Sequence, residues 1–220
     1  LIEAKRKKRS DDLLIKEKME TVTPIIENGF IYSIMFQEAF EEDIRNYKNL
    51  LSLDADYGCM LALVMGDDQH GNYMTNAVGA SVRIQKNYAK VREALKETWN
   101  CVVGSVISNK IPVFIPCENM KMDYEERIEM IDVCRELARK LRRITDISFR
   151  VGIGSVRRLA ESMDSYEEAL KALVNSTGSV AHVDDLPIQC RYDEEYPIDL
   201  ENDLFAKLRD GEREECERLA

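Results

Sequence analysis

The chain has 220 residues, with 31 lysines and arginines against 41 aspartates and glutamates, giving a formal charge of -10 and a sequence pI of about 4.9. That length suits one good core with helical extensions better than two full domains, and the acidic balance excludes a chain whose bulk wraps a nucleic acid, because phosphate binding needs a dense cationic surface. Six cysteines without CxxC spacing and only two histidines leave no zinc-site pattern. With neither a secretory leader nor an apolar run of about 18 residues, the setting expected is soluble, reducing and cytoplasmic, with no membrane partner.

Residues 1–53 read as an N-terminal helical linker followed by edge-covering helices. Lys5 to Arg9 (KRKKR) is a local basic run, most simply a solvated helix face, the alternative being a nucleic-acid or lipid contact. Ile15, Met19, Val22 and Ile26 step by 4, 3 and 4, an a/d seam that packs against its own domain or against a second copy, so a short coiled coil and a homodimer stay open. Pro24 is expected to bend the path or start a new helical turn. Phe30, Ile31, Ile34, Met35 and Phe36, then an acidic helix start at Glu38 to Asp43 closed by Tyr47, Leu50 and Leu51, predict a helix pair over the sheet edge.

Residues 54–186 hold the core. Cys59 to Met65 (CMLALVM) predicts a central strand covered on both faces. Gly66 to Gln85 is the least regular stretch; the next helix is expected to begin between Asn76 and Gln85, with Tyr88, Val91, Leu95 and Trp99 on its buried face. Cys101 to Ile107 and Ile111 to Ile115 predict a hairpin around Ser108, Asn109 and Lys110, the asparagine being suited to positive φ. Met120 to Ile144 predicts a long helix capped by Asp123, with Ile128, Ile131, Cys134, Leu137, Ala138 and Leu141 as its apolar stripe.

Ile147 to Leu173 is the most legible unit. Ile147, Phe149, Val151 and Ile153 alternate with Ser148, Arg150 and Gly152, the period of a half-buried strand, and Gly152 and Gly154 signal a bend or the close approach of a helix or a ligand. Asp164 or Ser165 is expected to cap a helix that buries Tyr166, Ala169, Leu170 and Leu173 and turns Glu167, Glu168 and Lys171 to water. Arg157 and Arg158 read as solvated, and His182, in a last strand over Ser179 to Val183, as a structural histidine. Residues 187–220 complete an acidic loop and begin a C-terminal linker helix marked by Leu200, Leu204, Phe205 and Leu208. Both terminal segments read as parts of helices from a longer protein.

Strand, helix, two-stranded hairpin, helix, strand, helix, strand is the order of an α+β sandwich with a mixed five-stranded sheet and helices packed on it. SFRVGIG followed by DSYEEALKAL resembles the late strand and helix of the GGDEF nucleotide-cyclase fold. It is nearest to the degenerate GGDEF-like versions in CdaR/PucR-type regulators and in the central region of AraC-family, YesN-type response regulators. ENGFIYSIMF and YPIDLENDLFAKLRDGEREECERL are similar to the segments flanking that region in YesN-type proteins. The resemblance implies a receiver upstream and a helix-turn-helix pair downstream in the parent chain, with DNA met only through the latter. It also implies a non-catalytic signal relay in a two-component system, with no cofactor.

An active cyclase of this fold, by the same resemblance, holds Mg2+ with carboxylates at the end of the first core strand and at the hairpin turn. Val106 to Ile111 (VISNKI) offers neither an acidic residue nor a glycine pair there, and a cation at Lys110 opposes metal binding. Asp67 and Asp68 stand near the first strand's end, offset by Gly66. No catalytic or metal residue is therefore assigned. The alternative function is a small-molecule or nucleotide sensor using the vestigial cleft, with Asp67, Asp68, Tyr73, Asn76 and Lys110 as its contacts.

Overall fold

The computed structural model describes residues 21–36, 41–65 and 73–185, with backbone alone for residues 41, 73–78 and 80. In chain order these form α1 (21–36), α2 (Glu41–Leu51), β1 (Tyr57–Met65), α3 (Tyr73–Thr98), β2 (Val102–Val103) and β3 (Lys110–Cys117). There follow α4 (Tyr124–Thr145), β4 (Phe149–Ile153), β5 (Arg157–Arg158), α5 (Ser162–Val174) and β6 (Val180–His182). Among the described residues, no helix is long and apolar enough to cross a membrane.

The CMLALVM run is the middle of the sheet. Its order is β2-β3-β1-β4-β6, with the two-residue β5 added on the start of β1. β1 is antiparallel to both β3 and β4, whereas β4 and β6 run parallel. This is the mixed sheet expected, with five strands on its main path. The period of two in β1 sends Cys59, Leu61 and Leu63 into a core with residues of α3 and α4. Met60 and Ala62 face the other way, into a core with Phe30, Ile31, Ile34 and Met35 of α1 and Tyr166 and Ala169 of α5. Ile44, Tyr47 and Leu51 of α2 pack against that second core.

Several boundaries differ from expectation, each for a physical reason. The first two helices cover a face of the sheet as well as its β2 edge, because Met60, Ala62, Val102 and Phe114 present an apolar surface much broader than the edge. Leu50 stays exposed. Helical backbone continues on both sides of Pro24. α3 begins at Tyr73, ahead of its apolar periodicity, and tertiary packing of Ile84, Val91, Ala94 and Leu95 carries a weakly propensive first part.

β2 is shorter than predicted because Pro112 interrupts its pairing. The Pro112 carbonyl accepts from the Gly104 N–H at 2.9 Å, but proline has no N–H to return to the Gly104 carbonyl. Tyr88 supplies the missing donor, its hydroxyl reaching Gly104 O at 2.9 Å. Burial pushes the Tyr88 hydroxyl up to about 12, so it keeps its proton.

α4 follows its sequence signals. The Asp123 carboxylate accepts from the Glu126 N–H at 2.8 Å and the Glu126 carboxylate from the Asp123 N–H at 2.9 Å, a reciprocal capping box. Ile131, Cys134, Leu137, Ala138 and Leu141 are buried, whereas Ile128 is exposed. α5 starts at Ser162, on a 3-10 turn over Leu159–Glu161, earlier than the predicted caps Asp164 and Ser165.

Candidate functional site

The hairpin turn and the end of β1 come together as the resemblance implies. Ile107 and Lys110 exchange both backbone hydrogen bonds, at 2.8 and 3.0 Å, and the Asn109 carbonyl accepts from the Met65 N–H at 3.1 Å. Lys110 lies half-buried opposite Val64. Ser108, not Asn109, takes the left-handed backbone, at φ 57°, which is the first central position of a two-residue hairpin, usually held by glycine. Tyr73 and Asn76 belong to the start of α3 instead of an irregular loop. Asp67 and Asp68 lie outside the described residues.

The candidate seam divides. Ile15 and Met19 lie outside the described residues, Val22 is exposed and Ile26 half-buried. On α1 the exposed large apolar residues are Val22, Ile25, Tyr32 and Phe36, and the last two rings lie 5.3 Å apart. The opposite side of the helix is anchored. Glu27, fully buried, is paired with Arg92 at 2.7 Å and with Lys96, both on α3; Asn28, three residues on from Ile25 and so on the flank of the exposed stripe, also accepts through Oδ1 from the Ser105 N–H at 3.1 Å.

A polar network at the other end of the sheet has no clear sequence signal. Between the pairs Leu61↔Ile153 and Gly58↔Arg157, three residue steps on β1 face four on β4 and β5, so one residue is extra and the ladder bulges at Gly154 to Val156. Side chains of α5 satisfy the groups the bulge leaves over. Ser165 Oγ accepts from the Met60 N–H at 2.9 Å and donates to Ser155 O at 2.7 Å. Glu168 accepts from the Ser155 N–H at 3.1 Å, from the Ser155 hydroxyl and from Arg157. Glu168 and Arg157 are therefore a half-buried pair, not the solvated groups expected. Burial would raise the Glu168 carboxyl, but the bonds from Arg157 and Ser155 outweigh it and hold it below the usual value.

Gly152 and Gly154 serve this same approach. A Cβ on either would meet an α5 carbonyl oxygen, that of Ala169 at 2.0 Å or Ser165 at 1.9 Å, so the close neighbour is a helix. Arg150, on the same side of β4, donates to Leu173 O at 2.7 Å and Gly178 O at 3.1 Å, fixing the end of α5 and the turn to β6. His182 is buried, and its Nδ1 accepts from the Asp184 N–H at 3.1 Å, the structural role expected. Cys59, Cys101 and Cys134 are buried free thiols; burial pushes Cys101 up to about 11 and Cys134 up to about 12, so they act as small apolar side chains.

A family model described as a GGDEF-like domain matches residues 37–174, more than half of the chain. The chain belongs to the GGDEF-like domain family. Among solved structures, the regulator of polyketide synthase expression from Bifidobacterium adolescentis is similar, at 11% identity and a TM-score of 0.42, over 73% of this chain and 56% of that one. This chain thus spans just over half of that protein's length. No curated protein matches.

In this GGDEF-like domain the hairpin turn reads Ile107, Ser108, Asn109, Lys110. Mg2+ requires hard anionic oxygens in a near-octahedral set, and a turn with an ammonium and no carboxylate does not fit it. Among the described residues, no group of three or more histidines, cysteines, aspartates or glutamates is placed to hold a metal ion.

Proposed function

We propose that this GGDEF-like domain is a non-catalytic regulatory relay within a transcription-controlling response regulator, between an upstream receiver and a downstream AraC-type helix-turn-helix domain. The observation that carries this reading is α1. Of its sixteen residues one is charged, Glu27, and that one is buried against α3, so the outer side offers Val22, Ile25, Tyr32 and Phe36 without an exposed charge in a chain that is 33% charged. A helix clamped on one side, with apolar residues exposed on the other above and below Gly29, where Tyr47 of α2 packs, suits a second copy of itself. Two acidic protomers, each of formal charge -10, repel over most of their surfaces and least across this stripe. Receiver state would change the proximity of two such helices, and the clamp to α3 would pass the change to the core. Such coupling needs two discrete arrangements of the pair.

A second reading, a ligand sensor in the vestigial cleft, is favoured by one feature: Lys110 keeps a cation beside the end of β1, which suits an anion better than a metal. Thermal shifts of the 220-residue chain with nucleoside triphosphates and cyclic dinucleotides, with and without Mg2+, separate these readings, since a ligand of the native state raises its melting temperature by mass action. The relay is expected to show no shift. A metal-independent shift lost in Lys110→Ala supports the sensor, and a Mg2+-dependent nucleotide shift accompanied by turnover contradicts the non-catalytic reading.

A further inference from the structure

At the far end of β3 from the hairpin turn, roughly 23 Å away at strand rise, lies a cavity of about 290 Å3. It is bounded by the last residues of β3, the connection to α4, one face of α4, Trp99 beyond the end of α3, and Val156 of the bulge. Trp99, Cys117, Met122, Met130 and Val156 all pack on the main core yet stay half-buried, so an apolar wall is left open around a single concavity. Such a wall with a few charged groups at its rim is the usual form of a small-molecule site, and the volume lies just below the roughly 300–1,000 Å3 range of drug-sized sites, so a small occupant is called for.

The chemistry of the lining narrows the occupant. Trp99 gives a flat π surface, and the two methionines give polarisable sulfur that adapts to an aromatic ring. Among the lining residues Glu118, Glu126 and Glu129 are exposed, as is the one lining cation, Lys121, so the solvent-facing part of the site favours a positive head group and disfavours a carboxylate or phosphate. We propose that this cavity binds a small aromatic amine, its ring against Trp99, Met122 and Met130 and its ammonium at Glu118 and Glu129. The site is separate from the vestigial cleft and stands whether or not the domain acts as a relay.

Trp99 is the chain's single tryptophan, so its emission reports the cavity directly. Phenethylamine, neutral phenethyl alcohol and anionic 3-phenylpropionate, titrated into the 220-residue chain, share one ring and differ in head-group charge. The amine is expected to change Trp99 emission saturably and to bind about tenfold or more tighter than the anion. Glu118→Gln with Glu129→Gln, both exposed, should reduce amine affinity about tenfold and leave the alcohol unchanged. Val133→Phe, which fills the cavity, should abolish all three, and Val133→Ala should retain them. No saturable change with the amine, equal or tighter binding of the anion, or unchanged amine binding in Val133→Phe overturns the proposal.

Discussion

A methyl group on Gly152 or Gly154 would sit 2.0 or 1.9 Å from a backbone oxygen of α5, where no rotamer relieves it. Gly154→Ala is therefore expected to cost about 3 kcal/mol or more, or to prevent folding. By contrast Gly79, in α3, has nothing within 4 Å of its added Cβ, and Gly79→Ala should gain about 0.5–1 kcal/mol from helix propensity; urea denaturation of the two variants checks both signs. Ser108 holds φ 57° without a packing reason for a side chain, so Ser108→Gly should raise stability by about 0.5–1 kcal/mol. His182 gives a pH signature. Burial lowers its pKa from 6.5, against Asp184, Asp185 and Glu168, which raise it, and with Arg127, which also lowers it. The unfolded chain takes up a proton near pH 6.5 that the folded one refuses, so stability falls as pH drops through that value and levels off below the folded pKa. Denaturation midpoints between about pH 7.5 and 5.5 should fall in the parent and fall less in His182→Asn, whose Oδ1 can still accept from Asp184.

At the level of elements, α1 is held by a charge taken wholly out of water. Glu27→Ala leaves Arg92 and Lys96 without that carboxylate, but both keep some exposure, 22% and 31%. The expected loss is about 2–3 kcal/mol, at or below the low end for a broken buried pair. Amide exchange should show the loosening in α1 before the central strands. If α1 protection is unchanged while β1 loosens, the clamp is not what holds the helix. This clamp was not legible in the sequence. Glu27 sits in an apolar stretch, and its partners are over sixty residues away on the hydrophilic side of a helix that begins ahead of its own apolar periodicity. The same holds for Ser165, which meets the Met60 N–H 105 residues away, and for Glu168, which sequence periodicity alone turns to water. Local signals did better. Asp123 with Glu126 is a capping box within four residues, and the alternation from Ile147 to Ile153 needs no distant partner to be read.

The sheet as a whole was foreseeable because β1 is a short apolar run bounded by turn residues, as a doubly covered strand is, and because a hairpin followed by helix and strand limits the topology. Its cover was harder to foresee, since the side on which a helix lies depends on packing among elements that no local pattern records. That cover leaves α1 with one side committed to the core and Val22, Ile25, Tyr32 and Phe36 exposed on the other, and the proposed relay rests on those exposed residues. Sedimentation equilibrium of the 220-residue chain, with Ile25→Lys and Tyr32→Glu as variants on that side and Arg139→Glu as a remote surface control, tests this directly. A concentration-dependent dimer is expected, weakened at least tenfold by the two α1 variants and unchanged by the control. A chain that stays monomeric throughout, or a dimer indifferent to both α1 variants, would contradict the relay.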